Sequence, residues 1–302
     1  MDRLEAMSIL VAVAETGTLS AASRKLGVPL PTISRKVSEL EAHLATRLLI
    51  RSTRKLTLTD SGTAYVKACK RILEQVGDAE RVASGEYSAP RGDLVVTAPI
   101  VFGRLHLLPV IDEFLADFTE IDVRLVLSDR NVHLIDDHID LAARIGTLPD
   151  SSLVATRVGA VRRVVCGSPD YFARNGIPKA PADLSGLACV THDGSTTATS
   201  WTFTVPGTQA EKIVPIRARL SVNTAEAAID AAIAGVGLTR LISYQVEDAI
   251  KEGRLQVVLE KFEPDSLPVN LVHAGQGLLP RKLRAFLDFA VPRLRKRLRY
   301  VD

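Results

Sequence analysis

The stretch AASRKLGVPLPTISRKVSELEAHL, residues 21–44, holds two helical patterns separated by a glycine and two prolines. Ile33, Val37, Leu40 and Leu44 recur at the spacing of a buried helical stripe, while Thr32, Ser34, Arg35, Lys36 and Ser38 occupy the other faces. Pro31 suits the first turn of that helix, where its missing N–H is no loss. Upstream, LSAASRKL (19–26) is rich in small residues that admit a close neighbouring helix; Thr18 can cap it and Gly27 can end it in a left-handed conformation. Residues 2–16 add a helix whose Leu4, Met7, Ile9, Leu10, Val11 and Val13 form a broad apolar face, ended by Gly17. Two helices joined by a tight turn, the second anchored by its stripe and offering hydroxyls and cations near its N-terminus, are suited to a DNA major groove. An ordinary solvated helix face is the plain alternative.

The next segment weighs against that alternative. RLLIRSTRKLTLTDSG (47–62) runs Leu49-Ile50, a polar tip from Arg51 to Lys55, then Leu56 and Leu58, the pattern of a β-hairpin with cations at its tip. Together these pieces make a winged helix-turn-helix over residues 1–60. Its candidate contacts to double-stranded DNA are Pro31, Thr32, Ser34, Arg35 and Lys36 on the second helix and Arg51, Thr53, Arg54 and Lys55 on the wing. Arg35 and Lys36 suit guanine O6 and N7, and the wing cations suit phosphates.

Downstream, Tyr65, Cys69, Ile72, Val76, Ala79 and Ala83 fall at alternating spacings of four and three, a coiled-coil seam of about three heptads. A helix over 59–88 is therefore expected to pair two chains, with a lone amphipathic helix lying on its own domain as the alternative. GEYSAPRG (85–92) then reads as a linker to a separate domain.

Charge agrees with a basic end module. Residues 20–60 carry eight Lys/Arg and three acids, net +5; residues 281–302 carry eight and two, net +6; residues 63–280 carry 21 and 27, net −6. Such asymmetry suits a polyanion-binding end on a body not itself adapted to nucleic acid. The 46 % apolar, 24 % charged composition is that of a globular protein. No apolar run spans a bilayer and the leading residues make no signal peptide, so a cytoplasmic protein without membrane contact is expected. Cys69, Cys166 and Cys189 are too few and too scattered for a disulfide framework or a zinc site and read as inert thiols.

In order and content, LSAASRKLGV, TISRKVSELEAHL and TRLLIRSTRKLTLTDSG resemble a LysR-type transcriptional regulator, and the resemblance continues through LVVTAPIVFGRLHLLPVIDEFL, VVCGSPDYFARNGIPKAPADLSG and AAIAGVGL. These later motifs are similar to the subgroup typified by CrgA and DmlR. One departure matters: many relatives have Ser-Gln where this chain has Pro29-Leu30, so base preference at position 30 does not carry over.

The resemblance implies an α+β multidomain chain: the winged module, a linker helix, and an effector domain over 90–302 built of two α/β subdomains like those of periplasmic binding proteins. The residues support this on their own. DLVVTAP, IDVRLVLSD and DLAARIG read as buried strands and LPVIDEFLADF as a helix, the alternation of a parallel sheet. Subdomain I is expected over about 93–160 and 267–302, and subdomain II over about 161–266. Ligands in open α/β sheets bind beyond the carboxyl ends of strands. By resemblance, an inducer cleft would be lined by Thr97, Ala98, Pro99, Val101, Phe102 and Gly103; by Ser128; by Arg144, Ile145, Gly146 and Thr147; and by His192, Trp201, Asn223 and Thr224. Hydroxyls at Thr97, Ser128 and Thr224 would suit a small organic or aromatic acid, with Trp201 as an apolar wall; helix capping by Asn223 or Thr224 and a core position for Trp201 are the plain readings. The family also implies a dimer of dimers and a contact with RNA polymerase.

Enzymatic readings find no support: there is no Gly-x-Ser-x-Gly elbow, Walker loop or His-Glu-x-x-His, and no cofactor is expected. His133 and His138 beside Asp136, Asp137 and Asp140 have the wrong spacing for one helical face, so no metal site is expected. A periplasmic-type binding protein without DNA-directed function would share the two-lobed body but not the basic winged module. The tail PRLRKRLRYVD (292–302) reads as the solvated end of the last helix, with phosphate or membrane-surface contacts as alternatives.

Overall fold

The computed structural model describes residues 2–51, 56–83, 89–130, 133–134, 137–149, 152–192, 200–208, 210–275 and 279–298, without the side chains of residues 51, 78 and 81–83. Two compact units divide the chain, Met1–Ala89 and Pro90–Asp302.

In the first unit, α1 (Arg3–Thr16) is capped by Asp2, which accepts from the amides of Leu4 and Glu5. Helix α2 (Leu19–Leu26) starts at Thr18, which accepts from Ala21, and stops at Gly27, whose φ of 66° costs a residue without Cβ little. Ser23 donates to the carbonyl of Val28 at 2.6 Å, fastening the turn that leads into α3 (Leu30–His43). Strands β1 (Leu49–Arg51) and β2 (Leu56–Leu58) pair antiparallel, and α4 (Asp60–Ala83) follows. Ile9, Leu10, Val13, Ala22, Ile33, Val37, Leu40, Leu48 and Val66 make one core, each large side chain contributing about 1.5–3 kcal/mol by burial. Gly62 crosses the chain so closely that a Cβ there would collide with the Leu48 carbonyl oxygen.

The second unit has two lobes. Lobe I holds β3 (Gly92–Ala98), the helical run α5 (Ile100–Phe102), a π-turn at Gly103–Leu107 and α6 (Leu108–Asp117), then β4 (Ile121–Leu127), β5 (Leu141–Ile145) and β6 (Leu153–Val161). The chain then enters lobe II with β7 (Arg163–Gly167), α7 (Pro169–Asn175), β8 (Ala188–His192), the hairpin β9 (Ser200–Thr204) and β10 (Glu211–Pro215), and β11 (Arg217–Val222). Helix α8 (Ala225–Ile233), β12 (Leu238–Ile242), α9 (Ser243–Lys251) and β13 (Gln256–Val258) complete it. The chain returns along β14 (Leu267–Ala274) and ends on α10 (Arg281–Leu298).

The sheet orders are β4-β3-β5-β14-β6 and β11-β8-β12-β7-β13. Alternation of strand and helix led us to expect parallel sheets. Strands β3, β4 and β5 are parallel, but β14 runs antiparallel to both β5 and β6, and β12 antiparallel to β7. The reason is the double crossing: the chain leaves lobe I by β6 and re-enters by β14, so two neighbouring strands carry traffic in opposite directions. Beside this crossing Arg162 binds Glu263 at 2.8 Å, a half-buried pair.

Candidate DNA-binding face and effector cleft

On α3, Ile33, Val37 and Leu40 point into the core, leaving Pro31, Arg35 and Ser38 exposed and Thr32 and Ser34 half-buried. Pro29 stands at the N-cap and supplies no side-chain oxygen, so the free amides of the first turn keep only backbone partners such as Pro29 O to Thr32 N at 2.9 Å. Arg35 is 65 % exposed and among the described residues meets only Glu39, one turn on, at 3.4 Å. Lys36 departs from the sequence expectation. Its ammonium binds Glu5 of α1 and its side chain is only 15 % exposed, which withdraws it from the outer face. It ties two helices together because its position, one residue past Arg35, rotates it toward α1.

Two further residues position this face and carried no obvious sequence signal. Glu41 accepts from the amides of both Leu48 and Leu49, at 2.8 and 3.0 Å, and so starts the wing. Glu15 binds Lys25 of α2 at 2.8 Å and Lys70 of α4 at 2.7 Å, and hydrogen bonds from those two ammonium groups hold its carboxyl below the ordinary range. At the wing, Arg51 belongs to β1 by its backbone, while its side chain and the expected contacts Thr53, Arg54 and Lys55 lie outside the described residues.

The expected seam on α4 divides. Tyr65 is half-buried against this unit's own core and Cys69 is fully buried one turn further on, so these two positions are spent within the chain. A helix that leaves its own domain must first pack upon it, which consumes the first turns of the stripe. Ile72 is 38 % exposed, Val76 half-buried and Ala79 exposed; the Ala83 side chain lies outside the described residues.

Between the lobes lies a cleft of about 700 Å³. Lobe I contributes Pro99, Ser128 and Ile145, and lobe II His192, Trp201, Asn223 and Thr224, all named from the sequence. A smaller cavity of about 310 Å³ shares Pro99, Ser128 and Ile145 with it and adds Thr97, Ala98, Arg144 and Thr147. Gly146 lines neither; with φ of 107° it makes the turn after β5.

Val101, Phe102 and Gly103 do not reach the cleft, contrary to expectation. They are buried on the opposite side of the helical run, and a Cβ on Gly103 would collide with Leu127. A helix turns its side chains through 100° per residue, so Ile100 at its start lines the opening beside Pro99 while Val101 and Phe102 turn away from it.

The hydroxyls also separate. Thr97 donates to the carbonyl of Val126 at 2.8 Å, which consumes its proton. Ser128 and Thr224 instead accept, from the amides of Arg130 at 3.1 Å and Ala227 at 3.3 Å, and so keep their protons to donate. Asp129 accepts from the amide of Ile100 at 3.0 Å and thereby occupies the N-terminus of the first helix of lobe I.

The cleft's cations were missed from sequence: Arg130 from lobe I, and Arg163 and Arg240 from lobe II. Arg240 sits in the apolar strand LTRLI, an out-of-place charge that was the available signal. It donates to Thr202 O at 3.0 Å and its guanidinium lies 5.4 Å from the centre of the Trp201 ring, so Trp201 is both core, at 3 % exposure, and cleft wall.

Burial pushes the thiols of Cys166 and Cys189 up to about 12 and raises that of Cys69, leaving all three protonated. Among the described residues no three His, Cys, Asp or Glu are placed to hold a metal ion, and no single helix is long and apolar enough to cross a membrane. The end of α10 is docked: Leu294 and Leu298 are buried and Arg295 donates to Arg157 O at 3.1 Å.

A winged helix-turn-helix in one unit and a two-lobed α/β fold with an interlobe cleft in the other define a DNA-binding regulator with an effector-binding domain. A family model described as the LysR substrate binding domain matches residues 88–295, and one described as the bacterial regulatory helix-turn-helix protein, lysR family, matches residues 4–63. The chain is 34 % identical over 288 residues to an HTH-type transcriptional regulator of Xanthomonas campestris pv. campestris, covering 95 % of this chain and 84 % of that protein. An HTH-type transcriptional repressor of Pseudomonas aeruginosa is 31 % identical, over 96 % of this chain and 92 % of its own. Among solved structures, CrgA of Neisseria meningitidis, a LysR-type transcriptional regulator, superposes with a TM-score of 0.60 at 30 % identity, over 96 % of this chain and 98 % of that one. The chain belongs to the LysR family of transcriptional regulators, and these relatives are regulators rather than enzymes.

Proposed function

We propose that the N-terminal end of α3 reads bases through Arg35, Thr32 and Ser34 with Pro31 packed against the groove, that Arg51, Thr53, Arg54 and Lys55 hold phosphates, and that the interlobe cleft takes a small organic or aromatic acid as inducer. The observation that carries the second reading is the donor set. The protons of Ser128 and Thr224 and the guanidinium groups of Arg130 and Arg163 line one cleft from both lobes, beside the apolar face of Trp201. A carboxylate bridging Ser128 and Thr224 would favour the closed lobes, and by unequal affinity for open and closed states would shift the placement of the DNA-binding pairs. Ile72, Val76, Ala79 and Ala83 pair two chains, and effector domains join dimers into a tetramer that contacts RNA polymerase in the cytoplasm. Lys36, Tyr65, Cys69, Val101, Phe102 and Gly103 are left out of these roles for the reasons given above.

The test is a mobility-shift titration of the full chain on DNA flanking its own gene, at low and near-physiological salt, with unrelated DNA as competitor and a panel of small carboxylates. Specific retardation that an acid alters, together with quenching of Trp201 by the same acid, is the expected result. Retardation with no response from any anion would remove the carboxylate reading and leave the DNA reading intact.

A further inference from the structure

Four cations gather where α10 ends on lobe I. The buried stripe Leu283, Phe286, Ala290, Leu294 and Leu298 lays this helix on the sheet, and the fit at β6 is close: a Cβ on Gly159 would come within 2.7 Å of the Leu298 side chain. With that face fixed, Arg295, Lys296 and Arg297 of the last turn are left exposed, and Arg157 of β6, also exposed, stands beside them. Arg295 donates twice to the Arg157 carbonyl, at 3.1 and 3.3 Å, and Nε of Arg157 donates to the Gly159 carbonyl at 3.4 Å. These carbonyls orient two guanidinium groups without neutralising them.

The charge is not balanced locally. None of the four cations has an ion-pair partner among the described residues. Of the acids nearby, Glu113 is held by Arg293 at 2.9 Å and Glu247 by Lys251 at 2.5 Å, which leaves Asp248. Cations suit any helix C-terminus, but the helix dipole presents only about half a negative charge there. Four cations exceed that requirement several-fold.

The surroundings decide the kind of partner. Among the described residues α10 exposes no large apolar side chain. Protein interfaces centre on buried aromatic or aliphatic anchors, and helices that lie on membranes use a broad apolar face, so a partner met by charge alone is a polyanion. The chain already holds one. Its cations concentrate at the two ends, net +5 over residues 20–60 and net +6 over 281–302, around a middle of net −6. Duplex DNA bound by the first unit is tethered to the second through the chain that joins them, at an effective concentration far above that of free duplex. It offers one negative charge per about 1.7 Å of helix axis.

We propose that the end of α10, with Arg157, is a second DNA contact, which holds phosphates of the duplex outside the bases read by α3 and carries no sequence preference. The exposed turn that the sequence presents as merely solvated thus has a partner. The assignment does not depend on which α3 residues read bases or on what the interlobe cleft binds.

The experiment is fluorescence anisotropy of the full chain on a long labelled duplex of unrelated sequence, over a series of salt concentrations. Each phosphate contact contributes about 0.9 to the slope of log affinity against log salt. K296Q/R297Q should flatten that slope by about 1.8 or more, because every protomer on the duplex contributes, and R157Q, from a different element, by about 0.9 or more. Circular dichroism and thermal melting should match wild type in both; if K296Q/R297Q melts lower, R157Q carries the test. An unchanged slope in well-folded variants would overturn the proposal. Loss of binding to phosphatidylglycerol vesicles at an unchanged DNA slope would likewise overturn it and assign the patch to a lipid surface.

Discussion

Replacing Arg35 and Lys36 separately distinguishes a base-reading residue from a structural one. Arg35 is 65 % exposed and among the described residues pairs only with Glu39 one turn on, a pair worth about 0.3–0.5 kcal/mol, so Arg35→Ala should lower the melting temperature by no more than about 4 °C. A bidentate arginine–base contact contributes about 1–3 kcal/mol of discrimination, so the same variant should bind the operator roughly five- to 150-fold more weakly and unrelated duplex nearly as well as wild type. Lys36 should behave oppositely. Its side chain is 15 % exposed and its partner Glu5 45 % exposed, so removing it strips one interhelix contact from a carboxylate that water then takes over. The cost is about 1 kcal/mol, or about 4–8 °C in a unit of 89 residues, with affinity for operator and unrelated DNA falling together. Fluorescence anisotropy on operator and scrambled duplexes at several salt concentrations, beside thermal melts, measures both quantities. The reasoning is refuted if Arg35→Ala weakens every sequence equally, or if Lys36→Ala erases sequence preference at unchanged melting temperature.

Gly62→Ala should destabilise the N-terminal unit by at least about 3 kcal/mol, seen as loss of its melting transition, since the added Cβ collides with backbone at Leu48 rather than with a flexible side chain. The depressed carboxyl of Glu15 contributes stability that is fully present above its ordinary pKa of 4.5 and is lost as pH falls through its lower folded value; Glu15→Gln should therefore melt lower than wild type at pH 7 and converge with it in acid. None of the three buried thiols should react with Ellman's reagent in the native protein at pH 8, and all three should react at once in denaturant; fast labelling of any of them in the native state would contradict their burial.

Local rules read along the chain went far in the first unit. Caps at Thr18, the stop at Gly27, the early proline at Pro31 and the Ile33-Val37-Leu40 stripe are all interactions among residues within a few positions of each other, so periodicity and capping chemistry determine them. The strands of lobe I and the glycines that end helices were legible for the same reason. What the sequence could not decide were choices made between distant segments. Whether Lys36 faces DNA or Glu5 depends on how α1 lies across α3, 31 residues away in the chain. Whether Tyr65 and Cys69 serve a partner or their own core depends on where α1 covers α4. The direction of β14 beside β5 and β6 follows from a return crossing after the whole of lobe II has been made. In the cleft, a threonine in the strand and a threonine at a helix start look alike in sequence. Only the position of the Val126 carbonyl uses the proton of Thr97, and only the fold brings Arg163 and Arg240 to a cleft shared with Ser128. Local sequence determined which elements form, because their hydrogen bonds close within a few residues; tertiary structure decided which side chains remain available for function, because a side chain is available only when no distant segment has already satisfied it.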